Sequence, residues 1–202
     1  MSRLTGKERR EQLLDVAEKL FARHGYARAT TAELAKAAGV TEPIIYRHFD
    51  SKRALFIALI QRTAQRTLGY WEQQLASAAD PAQRLRRLIG ENPMVSEQAR
   101  EAYRVFLQAI TEVEDDEIRK AVHDHIGNLH AFLVREIVRA QSEHKVAARF
   151  TPELIAWLLI DVGLGYGLLS ALRIPGHGMD ARGAHVQEAI ARMLVGRGGD
   201  EA

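Results

Sequence analysis

The sequence contains no cysteine among its 202 residues, which excludes disulfides, thiolate metal sites and a cysteine nucleophile. It also lacks the alternating runs of Val, Ile and Thr, bounded by turn residues, that predict strands. The first segment is charged and amphipathic, without the apolar core and cleavage site of a signal peptide. With 47% hydrophobic and 27% charged residues, the composition is typical of a globular protein. We expect an all-α protein in the cytoplasm.

Motifs of the common enzyme classes are missing as well. There is no phosphate-cradling glycine loop, no Gly-x-Ser-x-Gly elbow and no His-Glu-x-x-His zinc motif. The run His123-Asp124-His125 has metal-ligating side chains, but residues two apart on a helix do not converge. We therefore expect no enzymatic activity, no cofactor and no bound metal.

Basic residues are concentrated at the front of the chain. Residues 1–53 contain 11 Lys and Arg against 7 Asp and Glu, whereas the other 149 residues contain 17 against 19. This asymmetry favours a module that binds a polyanion, attached to a nearly neutral body. A difference of four charges also arises by chance, so it needs support from a motif.

Capping residues and glycines divide the chain into about nine helices. The first two helices begin at capping boxes and end before glycines, with the pairs Thr5 and Glu8 before Gly25, and Thr30 and Glu33 before Gly39. A third short helix begins at Thr41 as N-cap, followed by Pro43 in its first turn. Further helices are predicted over 52–78, 81–91, 96–112, 115–144, 152–172 and 180–195.

Residues 30–49 have the layout of a helix-turn-helix. Five apolar residues are spaced to form a small core under two short helices: Leu34, Ala35, Val40, Ile45 and Phe49. Gly39 provides the tight turn between the helices. A short exposed helix that a second helix holds rigidly can read the major groove of DNA. Two short helices joined at a glycine also occur as ordinary surface, which is the alternative for this pattern.

The side chains predicted to face outward suit DNA contact. Arg47 can bind guanine through two hydrogen bonds, Glu42 can accept one from a cytosine amino group, and Ile44 with Pro43 can touch a thymine methyl group. The residues suited to phosphates are Thr31, Tyr46, His48 and Lys52, the last at the positive end of the helix that it begins.

The run from Arg10 to Leu59 resembles the amino-terminal domain of the TetR family of transcriptional regulators. The resemblance rests on three stretches: Phe21-Ala22-Arg23-His24-Gly25-Tyr26, residues 30–40 with Thr-Thr-x-x-x-Ala-x-x-Ala-Gly-Val, and residues 45–55 with Ile-Tyr-x-His-Phe-x-Ser-Lys-x-x-Leu. Together they cover about a quarter of the chain. Glu42-Pro43-Ile44 departs from the Lys-Gly-Thr type of sequence that the family often has there, so individual DNA specificity is expected at these residues.

The resemblance implies a domain organisation and a function. It implies a three-helix DNA-binding domain over residues 1–51, with the helix-turn-helix at 30–49, and a larger helical domain for effector binding and dimerisation over 52–202. It implies phosphate contacts by Thr31, Tyr46, His48 and Lys52. The residues that it turns towards bases are Thr41, Glu42, Pro43, Ile44 and Arg47. The expected protein is a homodimeric repressor that a small-molecule effector releases from a palindromic DNA operator.

Residues 154–172 are apolar nearly all round, which indicates burial on more than one side. Nineteen such residues could just cross a membrane, but Asp161 and three glycines interrupt them, so we expect no membrane association. A helix that packs on its own chain and on a second copy explains the pattern better. The expected dimer interface contains Trp157, Asp161, Gly163, Leu164, Gly167, Leu168, Ile190 and Leu194.

Effector-binding candidates are aromatic and histidine side chains of the middle helices: Trp71, Tyr103, Phe106, His125 and His130. Aromatic residues at helical spacing are more often core residues, which is the competing interpretation of this set. A competing function is a DNA-binding protein of the same fold without a small-molecule effector, either architectural or regulated by a partner. The sequence identifies neither an effector nor an operator.

Overall fold

The computed structural model describes residues 4–78, 80–90, 100–145, 148–172, 174, 176–177 and 188–189. Across these residues the chain forms eight main helices and no strand. The helices are α1 (Gly6–His24), α2 (Thr31–Ala38), α3 (Glu42–Tyr46), α4 (Lys52–Ala76), α5 (Pro81–Gly90), α6 (Arg100–Ile110), α7 (Asp116–Ser142) and α8 (Pro152–Ala171). The expected all-α class is confirmed. The helix predicted over 180–195 lies outside the described residues, apart from Glu188 and Ala189, which are helical.

The amino-terminal helices begin and end where their capping residues predict. Thr5 and Glu8 form a complete capping box at the start of α1. Gly25 follows the last residue of α1 with φ 84°, a backbone conformation that side chains disfavour. Because these signals act within a few residues of the chain, the ends of the helices can be predicted from the sequence.

One compact unit consists of residues 1–64 and 101–125. Its core combines side chains of α1, α2 and α3 with the first part of α4, with α6 and with the start of α7. The largest fully buried side chains include Phe21, Phe56 and Ile45. The expected domain boundary between residues 51 and 52 falls inside this unit, because Leu55, Phe56 and Leu59 belong to the same core.

The other compact unit consists of residues 65–100 and 126–202. Trp71 and Leu75 of α4 pack there with α5, α7 and α8. Two arginines of α5 bind carbonyls at the end of α4: Arg84 Nη1 donates to Leu75 O at 2.7 Å, and Arg87 Nη1 donates to Gln74 O at 2.8 Å. Arg84 also binds both carboxylate oxygens of Glu136, a buried residue of α7.

Helix α8 has an apolar face that is exposed in the part of the chain that the structure describes. The exposed residues of this face are Leu154, Trp157, Leu158, Val162, Leu168 and Leu169. Within the described residues, Pro152–Leu169 is the one stretch long and apolar enough to cross a membrane by length and composition, and 28% of it is buried in the chain. Exposed apolar faces of this kind mark surfaces that bind another protein, a ligand or a membrane.

Candidate nucleic-acid interface

Helix α2 is fixed at both ends by its own backbone and side chains. Thr30 Oγ1 accepts from the Glu33 backbone amide at 3.2 Å, and Glu33 Oε2 accepts from the Thr30 amide at 2.9 Å. The bond from the Thr30 backbone amide is the main reason why the pKa of Glu33 is lowered. At the other end Gly39 adopts φ 66° and ψ 35°, and the Val40 amide donates to Ala35 O at 3.0 Å. This left-handed C-cap makes the turn into α3 tight.

The predicted core under the two helices is confirmed. Leu34 and Ile45 are each 1% exposed, and Ala35 and Phe49 are each 4% exposed, while Val40 packs half-buried against them. Arg10 of α1 places its guanidinium 4.8 Å from the centre of the Phe49 ring. The five-residue helix α3 is therefore held by buried side chains from its own turn and from α1 and α2, rather than by its own helix propensity.

The outer side of α3 presents most of the residues predicted to face bases. Thr41, Pro43 and Arg47 are exposed, and Glu42 and Ile44 are half-buried. Thr41 occupies the N-cap position but makes no side-chain capping bond. Of the predicted phosphate contacts, Tyr46 is 48% exposed, and Thr31, His48 and Lys52 are half-buried.

Three of these side chains form a hydrogen-bonded row. Thr31 Oγ1 donates to Glu42 Oε2 at 2.7 Å, and Thr31 Oγ1 lies 3.2 Å from the Tyr46 hydroxyl. The row joins the first turn of α2 to both ends of α3. Sequence patterns did not predict it, because residues 11 and 15 positions apart meet only through the turn at Gly39.

The ammonium group of Lys52 binds the protein's own backbone. Its Nζ donates to Tyr26 O at 3.0 Å, to Ala27 O at 3.3 Å and to Ala29 O at 3.1 Å. It also lies 4.5 Å from the centre of the Tyr26 ring. An ammonium has three N–H donors, so all of them are used within the loop between α1 and α2. The expected phosphate contact of Lys52 would compete with these bonds.

Two further residues position the helix-turn-helix, and no local sequence signal identifies them. Gln108 of α6 donates through Nε2 to Phe21 O at 2.8 Å and accepts through Oε1 from the Tyr26 amide at 2.9 Å, which closes the end of α1. Arg62 of α4 is 8% exposed and binds carboxylates of α1, with Nη1 at 2.7 Å from Asp15. Both contacts join segments more than 40 residues apart in the chain.

The candidate effector residues occupy two kinds of environment. Trp71 is buried in the second unit and stacks on Phe132 with ring centres 5.8 Å apart, and its Nε1 has no hydrogen-bond partner within the described part of the chain. His130 stacks on Trp157 at 4.3 Å, also in the second unit. For Tyr103, the structure places the backbone on α6 and does not describe the side chain.

Phe106 and His125 lie together in the first unit. Their ring centres are 5.1 Å apart in an edge-to-face arrangement, and both side chains are buried. Burial lowers the pKa of His125 from 6.5 to about 4, so its imidazole is neutral at neutral pH. Its Nδ1 has no hydrogen-bond partner among the residues described.

The residues expected at the dimer interface divide into three groups. Trp157, Asp161 and Leu168 are exposed on α8. Leu164 packs against the core of the second unit, and Gly163 and Gly167 are already buried within the chain. Ile190 and Leu194 lie outside the described residues. The exposed face of α8 is therefore formed by leucine, valine and tryptophan side chains together with Asp161, rather than by the glycines that were expected to allow close approach.

Comparison with known proteins gives relatives that match part of the chain. The family model for bacterial regulatory proteins of the tetR family matches residues 13–59. The chain is 35% identical over 137 residues to the HTH-type transcriptional activator FasR of Mycolicibacterium smegmatis, a match that covers 59% of this chain and 63% of FasR. It is 45% identical over 71 residues to the nucleoid occlusion factor SlmA of Actinobacillus pleuropneumoniae, 35% of each chain. The chain thus spans less than two thirds of the length of either relative.

Solved structures share the fold along nearly the whole chain. A putative transcriptional regulator from Saccharomonospora viridis in complex with choline superposes with a TM-score of 0.84 and 24% identity, covering 94% of this chain and 98% of that one. The transcriptional regulator FadR from Bacillus subtilis in complex with stearoyl-CoA gives a TM-score of 0.74 and 15% identity, covering 92% and 97%. At these identities the likeness concerns the fold.

Proposed function

The chain belongs to the TetR family of bacterial regulatory proteins, and from this premise we propose that it is a transcriptional repressor in the cytoplasm. It binds a palindromic operator as a homodimer, and a small-molecule effector releases it. The observation that carries the proposal is α3, a five-residue helix held on a buried core with Pro43, Tyr46 and Arg47 exposed. A helix this short and this well supported is suited to the major groove.

Base reading is assigned to the outer side of α3. Arg47 has no ion pair within the described residues and is exposed, so its guanidinium is available for the two acceptors of guanine. Thr41, Pro43 and Ile44 precede it on the same helix and its N-cap, where Pro43 and Ile44 can touch a thymine methyl group.

Phosphate contacts are assigned to the residues around α3. Thr31, Tyr46 and His48 carry hydrogen-bonding groups at the two ends of the helix-turn-helix. Lys52 supports the same surface by holding the carbonyls of Tyr26, Ala27 and Ala29, and thus the loop that leads into α2. Such contacts fix the position of a protein on DNA without reading its sequence.

Dimerisation is assigned to the exposed apolar face of α8. One short helix specifies few base pairs, whereas two copies about one helical turn of DNA apart read a palindrome. The face is rich in large apolar side chains, among them Trp157 at 44% exposure and Leu158 at 48%. A second copy that packs face to face would cover both.

Effector binding is assigned to side chains within each unit separately: Tyr103, Phe106 and His125 in the first, and Trp71 and His130 in the second. Two buried polar atoms of this set, Trp71 Nε1 and His125 Nδ1, lack partners within the described residues. Buried polar groups normally have hydrogen-bond partners, so a ligand that offers an acceptor to the indole would satisfy one. An effector controls DNA binding only if it favours one of two conformations of the dimer.

A second candidate is a DNA-binding protein without a small-molecule effector. The 45% identity to the nucleoid occlusion factor SlmA over 71 residues favours it, because that relative is named for nucleoid occlusion rather than for a response to a small molecule. Activation of transcription is the alternative to repression, since the relative FasR is named an activator. Repression is proposed here, and a reporter fused to the bound promoter distinguishes the two directions.

The first test is selection of bound duplexes from a random DNA pool. We expect an inverted repeat, and recovery of no preferred sequence by a folded dimer would refute sequence-specific binding. Arg47→Ala should then lose about 1–3 kcal/mol of preference at one base pair of each half-site. Arg119→Ala, an exposed arginine of α7, is the control for the loss of one positive charge.

The second test concerns the effector. Ligands are screened for an increase in melting temperature, and each stabilising ligand is then tested for release of the protein from the selected operator. The panel includes choline and stearoyl-CoA, which are present in the structures of two neighbours. A ligand with both effects supports the sensor. DNA binding that is indifferent to every stabilising ligand favours the second candidate.

A further inference from the structure

The row formed by Tyr46, Thr31 and Glu42 gives the acidic residue of α3 a role other than base reading. We propose that Glu42 competes with DNA phosphates for the hydroxyl groups of Thr31 and Tyr46, and so lowers the affinity for all DNA sequences alike. The inference rests on the proposed DNA-binding function, and it deepens that function by naming a residue that sets affinity rather than specificity.

The positions of the hydroxyl protons carry the argument. Thr31 Oγ1 has one proton, which it donates to Glu42 Oε2 over 2.7 Å. The contact of 3.2 Å between Thr31 Oγ1 and the Tyr46 hydroxyl then requires Tyr46 to be the donor. Both protons therefore point along the row towards the carboxylate.

A phosphate oxygen can only accept hydrogen bonds, so it needs the same two protons. When the row is intact, neither hydroxyl offers a proton to an approaching phosphate. Thr31 must release Glu42 before it can donate to DNA, and Tyr46 must release Thr31. Hydrogen bonds to an ionised carboxylate and to an ionised phosphate are both roughly twice as strong as neutral ones, so Glu42 is an acceptor of comparable strength to the DNA.

The negative charge of Glu42 also lowers the affinity for DNA. A carboxylate about 6 Å from a phosphate in water costs roughly a factor of three in affinity, from Coulomb repulsion alone. Two recognition helices on one operator would square this factor to about ten. Since every DNA sequence carries the same phosphates, the effect is independent of base sequence.

The experiment compares Glu42→Gln, Thr31→Val and the double variant with the wild-type protein. Dissociation constants are measured for the selected operator and for unrelated duplex DNA at several salt concentrations. Asp124→Asn is the matched control, because it changes the net charge equally on α7, where Asp124 binds Lys120. Glu42→Ala, which removes the acceptor as well as the charge, is the second variant, and thermal melting confirms that each protein is folded.

We expect Glu42→Gln to bind operator and unrelated DNA more tightly by a similar factor, about threefold or more for each recognition helix. Glu42→Ala should gain at least as much, and Asp124→Asn much less. The gain from Glu42→Gln should shrink in the Thr31→Val background, since no threonine hydroxyl then remains to compete for.

Several results would overturn the inference while leaving the proposed function intact. A loss of affinity confined to one base pair of each half-site would make Glu42 a base reader. Equal gains in DNA affinity from Glu42→Gln and Asp124→Asn would show that only the net charge matters. A gain from Glu42→Gln that is the same in the Thr31→Val background would show that Glu42 does not compete for the Thr31 proton. Failure of the wild-type protein to bind any duplex would overturn the proposed function, and this inference with it.

Discussion

The guanidinium of Arg62 on α4 forms ion pairs with three carboxylates of α1. Its side chain is 8% exposed, and its Nη1 lies 2.7 Å from Asp15 and 3.5 Å from Glu11, while its Nη2 binds Glu18. Asp15 and Glu11 are 57% and 48% exposed, whereas Glu18 is 14% exposed. The buried cation thus meets one partly buried carboxylate and two exposed ones.

Arg62→Met keeps an unbranched apolar side chain and removes the charge. Hydrogen bonds to charged groups contribute about 1.5–3 kcal/mol each, and breaking a fully buried ion pair costs about 3–5 kcal/mol. Because water solvates two of the three carboxylates, we expect a loss of about 2–3 kcal/mol in the free energy of unfolding. For a chain of this length that lowers the melting temperature by roughly 4–12 °C.

Arg53→Met is the matched control. Arg53 lies on the same helix and binds two carboxylates, Asp115 at 3.1 Å and Glu117 at 2.8 Å, but its side chain is 46% exposed. Water and salt screen such a pair, so its loss should change the melting temperature much less. Both variants are melted by circular dichroism at low and high salt. Equal shifts for the two variants, or a loss below about 1 kcal/mol for Arg62→Met, would refute the argument from burial.

Three further predictions follow from single residues. Burial lowers the pKa of His125 from 6.5 to about 4. As the pH falls below 6.5, the unfolded state therefore takes up a proton before the folded state does. The stabilisation from the buried neutral imidazole is complete above pH 6.5 and is lost as the pH falls towards 4. Relative to His125→Leu, the wild-type protein should lose about 3 kcal/mol across this window in urea titrations, and parallel pH profiles would contradict the shift. At Gly39 an added Cβ meets no atom within 4 Å, but φ is +66°. Gly39→Ala should therefore lower the free energy of unfolding by about 1 kcal/mol, and Gly39→Asn by less, since asparagine tolerates this conformation. Equal melting temperatures for the two variants would argue against a conformational origin. Lys52→Met should lower the melting temperature without DNA, because three carbonyls lose their donor; unchanged melting together with a flatter salt dependence of DNA binding would instead make Lys52 a phosphate contact.

The helices and their ends could be predicted because their signals are local. The capping box at Thr30 and Glu33 and the left-handed Gly39 each act within a few residues. The same reasoning placed the fourth helix at Lys52 and the eighth at Pro152, where α4 and α8 begin. The small core under the helix-turn-helix followed from helical spacing alone.

The contacts that hold the candidate interface could not be predicted, because they depend on the tertiary structure. The residues next to Gln108 and Arg62 in the sequence form no motif that marks them. Their bonds to α1 form only when α6 and α4 pack against it. Lys52 was recognised as important, but the sequence could not show that its ammonium binds three carbonyls. The row from Tyr46 to Glu42 likewise depends on the geometry of a turn.

The unit that carries the helix-turn-helix is discontinuous in the sequence, and this limits how the DNA-binding part can be transferred to another protein. Val105, Ala109 and Ile118 come from residues 101–125, yet they belong to the same core as α1 to α3. A fragment that stops after residue 64 would expose that core and would lose the bonds of Gln108 to the end of α1. Chimeric regulators that exchange DNA specificity should therefore carry both segments, or replace only the exposed residues of α3.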